Sequence, residues 1–216
     1  MNKDKIILDV YGGTGAWSKP YREAGYDVRV LTLPDNDITD WTKGDMPEIA
    51  RLIQENKIYG ILLAPPCTMF SIARNDTTAK KPRDLREGMK LVLAGLKIVW
   101  ECRYQSIRKQ DNRLKFWALE NPKGYLRDFL GKPVFEFEPF DFGDPYTKKT
   151  QLWGNFNKPK KNPVNPRQGT MVKYASDFKE IEVDEEYRKK LGIDARTIRR
   201  SITPSGFAKA FYEVNK

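Results

Sequence analysis

The chain has 216 residues, enough for one substantial core with a small appendage. Hydrophobic residues make up 39% and charged residues 31%, as in globular proteins that need no membrane, and no apolar run reaches the length of a membrane span. Two cysteines and no histidine exclude a structural zinc site built from Cys and His alone and any His-dependent triad, while a formal charge of +10 favours a phosphate-bearing partner.

In chain order, KIILDV at 5–10 reads as a buried parallel strand closed by a glycine turn, so the N-terminus is expected to be the start of a fold and not a signal peptide, with a cytoplasmic location. A helix is expected over 16–24, limited by Pro20 and ending near Gly25. A strand at 26–33 follows, then a helix over 47–56 with Ile49, Leu52 and Ile53 on one face. YGILLA at 59–64 is apolar throughout, as in a strand covered on both sides. Residues 65–83 form a polar loop, and Leu85, Met89, Val92, Leu96 and Val99 space out a long helix over 84–108. FWALEN at 116–121 gives a fourth strand, with a short helix over 123–130 and further strands at 134–137 and 150–153. Residues 157–170 carry three prolines and four basic residues and read as an exposed basic loop. A charged segment at 177–191 and a last helix over 204–214 complete the chain. The alternation predicts an α/β fold with a mainly parallel sheet, whose ligands bind beyond the carboxyl ends of the strands. From Pro145 onward 16 Lys and Arg face 8 Asp and Glu, so this third carries +8 of the +10.

Four constellations fall at expected strand ends or turns. Asp9-Val10-Tyr11-Gly12-Gly13-Thr14-Gly15 follows the first strand. Its glycines permit positive φ and close approach of a ligand, and it is neither a Walker loop nor a dinucleotide fingerprint. It reads as a nucleoside-cofactor loop or as a plain tight turn. Ala64-Pro65-Pro66-Cys67 sets a cysteine on stiff backbone. Without histidine its thiolate needs Arg74 or another Lys or Arg beside it, and the alternative is a small buried cysteine, as Cys102 is expected to be. Leu119-Glu120-Asn121-Pro122 ends the fourth strand with a carboxylate that either handles protons or caps a helix. Asp144-Pro145-Tyr146-Thr147-Lys148-Lys149-Thr150 puts two lysines in a turn, for phosphate, a base edge or solvent.

Together and in this order, the motifs resemble those of the DNA cytosine-5 methyltransferases, particularly compact bacteriophage-borne members. DVYGGTG is similar to the family's first motif, APPCTMFS to its Pro-Cys motif, LENPKGYL to its Glu-Asn motif, DPYTKKTQLWG to its motif with two spaced arginines, and RSITPSGFAKAF to its closing motif. The resemblance spans about residues 6–214. It implies a Rossmann-like class I methyltransferase fold, with residues 1–154 and 201–216 as the catalytic unit and 155–200 as a small, reduced, basic target-recognition region. It implies S-adenosyl-L-methionine as cofactor, held by Asp9, Tyr11, Gly12, Gly13, Thr14, Gly15, Asp37, Ile38, Pro65 and Ser201. It implies double-stranded DNA with a flipped cytosine as substrate, contacted by Pro66, Thr68, Ser71, Asn121 and Lys149, and no metal. Cys67 would add to carbon 6 of the base, Glu120 would bind its N3 edge, and Lys148 would stand for the first spaced arginine near O2.

The departures are specific. Pro122 follows Glu-Asn where the family has Val, Thr150 replaces the second arginine, and Ser201 stands where Asn is common. The second strand ends in Leu31-Thr32-Leu33 with no ribose-binding acid, Asp35 being the nearest. Two other readings follow: the same chemistry on RNA or with a modified cofactor, and a non-catalytic DNA-binding protein of the same fold. The recognition sequence and oligomeric state are open.

Overall fold

The computed structural model describes residues 2–43, 46–72, 75, 82–163, 183 and 185–216. Strand β1 (Ile6–Val10) lies between β2 (Asp27–Leu31) and β3 (Ile58–Leu63), parallel to both. Strand β4 (Phe116–Pro122) extends the parallel set beside β3. Beyond it β6 (Thr150–Asn155) runs antiparallel, between β4 and the edge strand β5 (Phe135–Phe137). The sheet order β2-β1-β3-β4-β6-β5 is that of a Rossmann-like α/β fold: the chain leaves β1 to one side for β2, then crosses to the other side for β3.

The central strands are apolar because both faces are covered. On one face, Leu8, Ile61 and Leu63 pack with Ile49 and Leu52 of α2 (Pro47–Gln54) and with Val92 and Ile98 of α3 (Leu85–Arg108). On the other, Ile7, Leu62 and Ala118 meet Tyr21 of α1 (Lys19–Glu23) and Phe207 and Phe211 of α7 (Ser205–Val214). Asp84 caps α3 by accepting from the Glu87 amide at 3.0 Å. The remaining helices are α4 (Leu126–Leu130), α5 (Glu185–Leu191) and α6 (Ala195–Ser201).

The expected first helix is shorter than its composition suggests. It starts at Lys19 with Pro20 in the first turn, where a missing N–H costs no hydrogen bond. Helix α6 was not legible, since ARTIRRS has a single strongly apolar residue. That residue, Ile198, is fully buried, and Asp194 caps the helix through the Thr197 amide at 2.9 Å. Of the basic segment 157–170, residues 157–163 are described. Asn157 is laced to Asn215 and Val214, and Lys161 pairs with Asp141 at 2.8 Å, so part of this segment is spent on internal structure. Residues 164–170, the first part of the charged segment at 177–191, and Arg74 lie outside the described residues. Among the described residues no helix is long and apolar enough to cross a membrane, and no group of His, Cys, Asp and Glu could hold a metal ion.

Candidate active site

The parallel strands finish at one edge. Val10 pairs with Leu31 and Leu63, and Leu63 pairs with Leu119. The segments 11–15, 64–67 and 120–122 therefore emerge side by side, around the point between β1 and β3 where the strand order reverses. One cleft at this edge gathers Asp9, residues 11–14, Trp17, residues 64–67, Glu120, Pro122, Lys148 and residues 200–203, and encloses about 90 Å³. A larger groove of about 400 Å³ opens at the amino end of β4, lined by Arg103, Ile107, Leu114 and Trp117 among others. Its lining has no cysteine and no carboxylate, and its one hydroxyl, on Ser106, is bonded to Asn56, so the smaller cleft is the chemical candidate.

The glycine turn is shaped from within. Tyr11 takes φ 61°, costly for a ring-bearing residue. Its amide donates to the Leu31 carbonyl at 2.7 Å and its hydroxyl to the Leu91 carbonyl at 2.8 Å, which hold it there. Gly13 and Gly15 also have positive φ, at 55° and 71°. A Cβ on Gly12 would collide with the Asp9 carboxyl group, so this glycine is required by the acid beneath it. Asp9 is fully buried. Its Oδ2 accepts from Ser18 Oγ at 2.5 Å, while Oδ1 has no hydrogen-bond partner. Burial pushes its carboxyl up to about 6, against the opposing pull of the Ser18 hydrogen bond and the Arg22 charge.

The cysteine turn is clamped on several sides. The Cys67 carbonyl accepts from the Phe70 and Ser71 amides, both at 2.9 Å. Phe70 is a fully buried plug in the core. Its carbonyl accepts from the Tyr125 amide at 2.9 Å, and Ser71 bridges to Gly124. Arg83 donates to the carbonyls of Met69 and Ser71 and lies over the Tyr125 ring. Buried Asn121 donates its Nδ2 to the Pro65 carbonyl at 3.0 Å, which ties the end of β4 to the turn.

Glu120 and Lys148 form the floor. Lys148 Nζ lies 3.7 Å from Glu120 Oε1, with side chains only 10% and 8% exposed, and donates to the Ile202 carbonyl at 3.2 Å. The Lys148 amide donates to Glu138 Oε2 at 2.9 Å, and Asp144 accepts from Gly206 N at 3.0 Å and Ser205 Oγ at 3.2 Å. The lysine turn is thus bound to the start of α7, and Asp144 serves as its anchor. Around half-buried Cys67, burial raises the thiol above its ordinary value, Lys148 lowers it, Glu120 raises it and Arg200 lowers it. Cys102, buried in α3 and outside the cleft, is pushed up to about 12, chiefly by burial.

Of the residues expected from sequence, Cys67, Glu120, Lys148, Asp9, Tyr11, Gly12, Gly13, Thr14, Pro65, Pro66 and Ser201 line this cleft. Gly15, Asp37, Ile38, Thr68, Ser71, Asn121 and Lys149 do not. Ile38 is a core residue, and Asp37 accepts from the Thr39 amide and hydroxyl, closing the turn before the 3₁₀ stretch Ile38–Lys43. Arg200, Ile202 and Thr203, which belong to the closing motif but were given no role, also line the cleft, as does Trp17, which lies outside every motif. Arg200 opens the closing motif beside Ser201, and Trp17 lies two residues past the glycine turn, where nothing in composition marks it.

No protein-family profile matches the sequence, and no curated protein matches it. Several solved structures show a distant likeness. One is a prophage-encoded protein from E. coli described as a DNA modification methyltransferase, at 17% identity and TM-score 0.40 over 69% of this chain and 45% of that one. A variant of Spodoptera frugiperda DNMT2 gives 18% identity and TM-score 0.41 over 84% and 61%. The Entamoeba histolytica methyltransferase EhMeth gives 13% and 0.37, also over 84% and 61%. The chain spans about half the length of these proteins, and the fold rests on its own sheet order.

Proposed function

We propose that this protein transfers a methyl group from S-adenosyl-L-methionine to carbon 5 of cytosine in double-stranded DNA, with Cys67 as covalent nucleophile. The observation that carries the reading is the single cleft that unites Cys67, Glu120 and Lys148 with the glycine turn. The residues suit the cofactor. Asp9 Oδ1, buried and without a partner at the cleft wall, suits a cationic or hydrogen-bond-donating group, and the Tyr11 and Trp17 rings give apolar walls. The enclosed space is smaller than ordinary ligand pockets of roughly 300–1,000 Å³, so a ligand of that size has to use the open mouth or widen the cleft.

When bound, the cofactor supplies an electrophilic methyl group on a sulfonium. The chain's own groups prepare the base. Cys67 sulfur forms a bond to carbon 6, which makes carbon 5 nucleophilic. Glu120, held on the buried floor, hydrogen-bonds the N3 edge and favours the electron shift, while Lys148 provides positive charge beside it. After methylation carbon 5 gives its proton to water, and the electrons of that C–H bond form the C5–C6 double bond and expel Cys67 sulfur as thiolate. A base in a duplex has to leave the stack to reach this cleft. Residues 155–200 would serve as a short basic reader that positions DNA largely through phosphates.

Mass spectrometry of nucleosides from DNA and RNA of cells expressing the full chain, beside Cys67→Ala, tests this. The expected product is 5-methylcytosine in DNA that depends on Cys67. A duplex carrying 5-fluorocytosine should form a covalent adduct only with Cys67 and cofactor both present. Modified cytosine confined to RNA would move the substrate, and no Cys67-dependent product in either would overturn the proposal.

A further inference from the structure

We propose that the outer face of α3 is a docking surface for an acidic amphipathic helix of a partner protein. Leu93, Trp100 and Ile107 recur every seven residues along α3, and Tyr104 lies between the last two. These four are between 45% and 70% exposed. Trp100 and Tyr104 stack on each other with ring centres 6.4 Å apart. The helix does not need them for its own packing, because Val92, Ile98, Val99 and Cys102 bury its inner face against the sheet. From Leu93 to Ile107 the stripe is about 21 Å long at the rise of an α-helix. Large apolar side chains gathered so closely on a surface mark a place that another molecule covers. At its far end the stripe continues into the groove beside the amino end of β4, where Ile107, Leu114 and Trp117 share one lining.

The charges beside the stripe select the occupant. Helix α3 carries five exposed cations, Arg86, Lys90, Lys97, Arg103 and Arg108, against two carboxylates, Glu87 and Glu101. None of the five forms an ion pair among the described residues. Lys97 and Arg108 lie over the Trp41 and Tyr104 rings instead, each at 5.9 Å. A second copy of the chain would set one cationic surplus against another, which opposes self-association through this face. Nucleic acid matches the charge, but Leu93 and Ile107 offer a base no ring to stack on, and Trp100 and Tyr104 already spend a face on each other. A helix with apolar residues at the same seven-residue period fills the stripe, and Asp or Glu on its flanks meets the cations. The surface is also remote from the cleft. The start of α3 adjoins the cysteine turn, where the Asp84 amide donates to Met69 Sδ at 3.4 Å, whereas Trp100 lies about 22 Å further along the axis. The docking surface therefore stands whether or not the methyl-transfer reading does.

Two labelled helical peptides of three heptads serve as probes, with the same leucine seam but flanked by Glu in one and by Lys in the other. Their binding to the full chain is followed by fluorescence anisotropy. The Glu-flanked peptide should bind at least about tenfold more tightly than the Lys-flanked one, and added salt should weaken it. Trp100→Ala combined with Ile107→Ser should weaken it about tenfold or more. Both side chains are exposed, so thermal unfolding should stay as in the wild type. Lys97→Glu combined with Arg103→Glu should invert the preference between the two peptides, a result that loss of apolar area alone does not produce. No binding of the Glu-flanked peptide, equal binding of both, or binding indifferent to the Trp100 and Ile107 changes would overturn the proposal. So would self-association in sedimentation, or binding of an oligothymidine strand, that the Trp100 and Ile107 changes abolish, since the face would then belong to a second copy or to nucleic acid.

Discussion

Lys148 Nζ stands 3.7 Å from Glu120 Oε1 with both side chains about nine-tenths buried. Glu120 Oε1 has no hydrogen bond to add to that ion pair. A pair so enclosed adds little net stability while intact, but removing one partner strands the other. Lys148→Met should therefore destabilise the chain by about 3 kcal/mol, and Lys148→Met combined with Glu120→Gln should recover much of the loss. Urea unfolding of the two single variants and the double variant measures the coupling. Additive losses would show that the pair does not act as a unit.

The Asn121 contact with the Pro65 carbonyl leads to a second prediction. It joins the last residues of β4 to the turn that aims Cys67, and both groups are buried. Asn121→Ala leaves a buried carbonyl unpaired, at a cost of about 1–3 kcal/mol. The turn should also loosen, so hydrogen exchange at the Phe70 and Ser71 amides, which close on the Cys67 carbonyl, should accelerate. Unchanged protection of both amides in a destabilised variant would mean that Asn121 supports β4 and not the cysteine turn.

These contacts explain which features were legible in the sequence. Strands β1, β3 and β4 could be read because sheets covered on both faces need continuous apolar runs, and the residues that line the cleft sit where those runs stop. The cleft members on those stops, such as Cys67 and Glu120, were legible for the same reason. Asn121 was expected on the base, but its side chain turns to Pro65, because a loop of two prolines offers a carbonyl that needs a donor. Ile38 was expected at the cofactor and lies in the core. Arg200, quoted only as the opening residue of the closing motif, and Trp17 were given no role because each reaches the cleft through tertiary packing, of α6 on Ile198 and of Trp17 against Phe207 and Phe211. No local period encodes either.

Asp9 gives a prediction about pH. Its carboxyl is pushed up to about 6 in the folded chain against an ordinary 3.8, chiefly by burial. The folded state then binds the proton more tightly than the unfolded state, so this group's contribution to stability falls as pH rises from about 4 to about 6 and stays low above that. Asp9→Asn keeps the shape beside Gly12 and removes the titration. It should unfold at higher urea than the wild type at neutral pH, by an amount equivalent to about 3 kcal/mol, and converge with it below about pH 4. Parallel stability curves for the two proteins across this window would show that Asp9 does not titrate there.

The last prediction concerns the basic C-terminal third. Its charge includes Arg196 and Arg200 on α6, while Lys161 is paired with Asp141 and Lys190 with Asp35 at 2.7 Å. Cations tied internally release fewer counterions on meeting DNA than those left to solvent, so the contributions of these residues should be unequal. Affinity for a duplex, read by fluorescence anisotropy, should fall steeply with salt, and Arg196→Gln should reduce the logarithmic salt slope by about one. Lys161→Gln should change the slope less, because its charge is offset by Asp141 in the free protein. If both variants keep the wild-type slope, or affinity is flat from low to physiological salt, the phosphates are not met by this face, and the charge serves solubility instead.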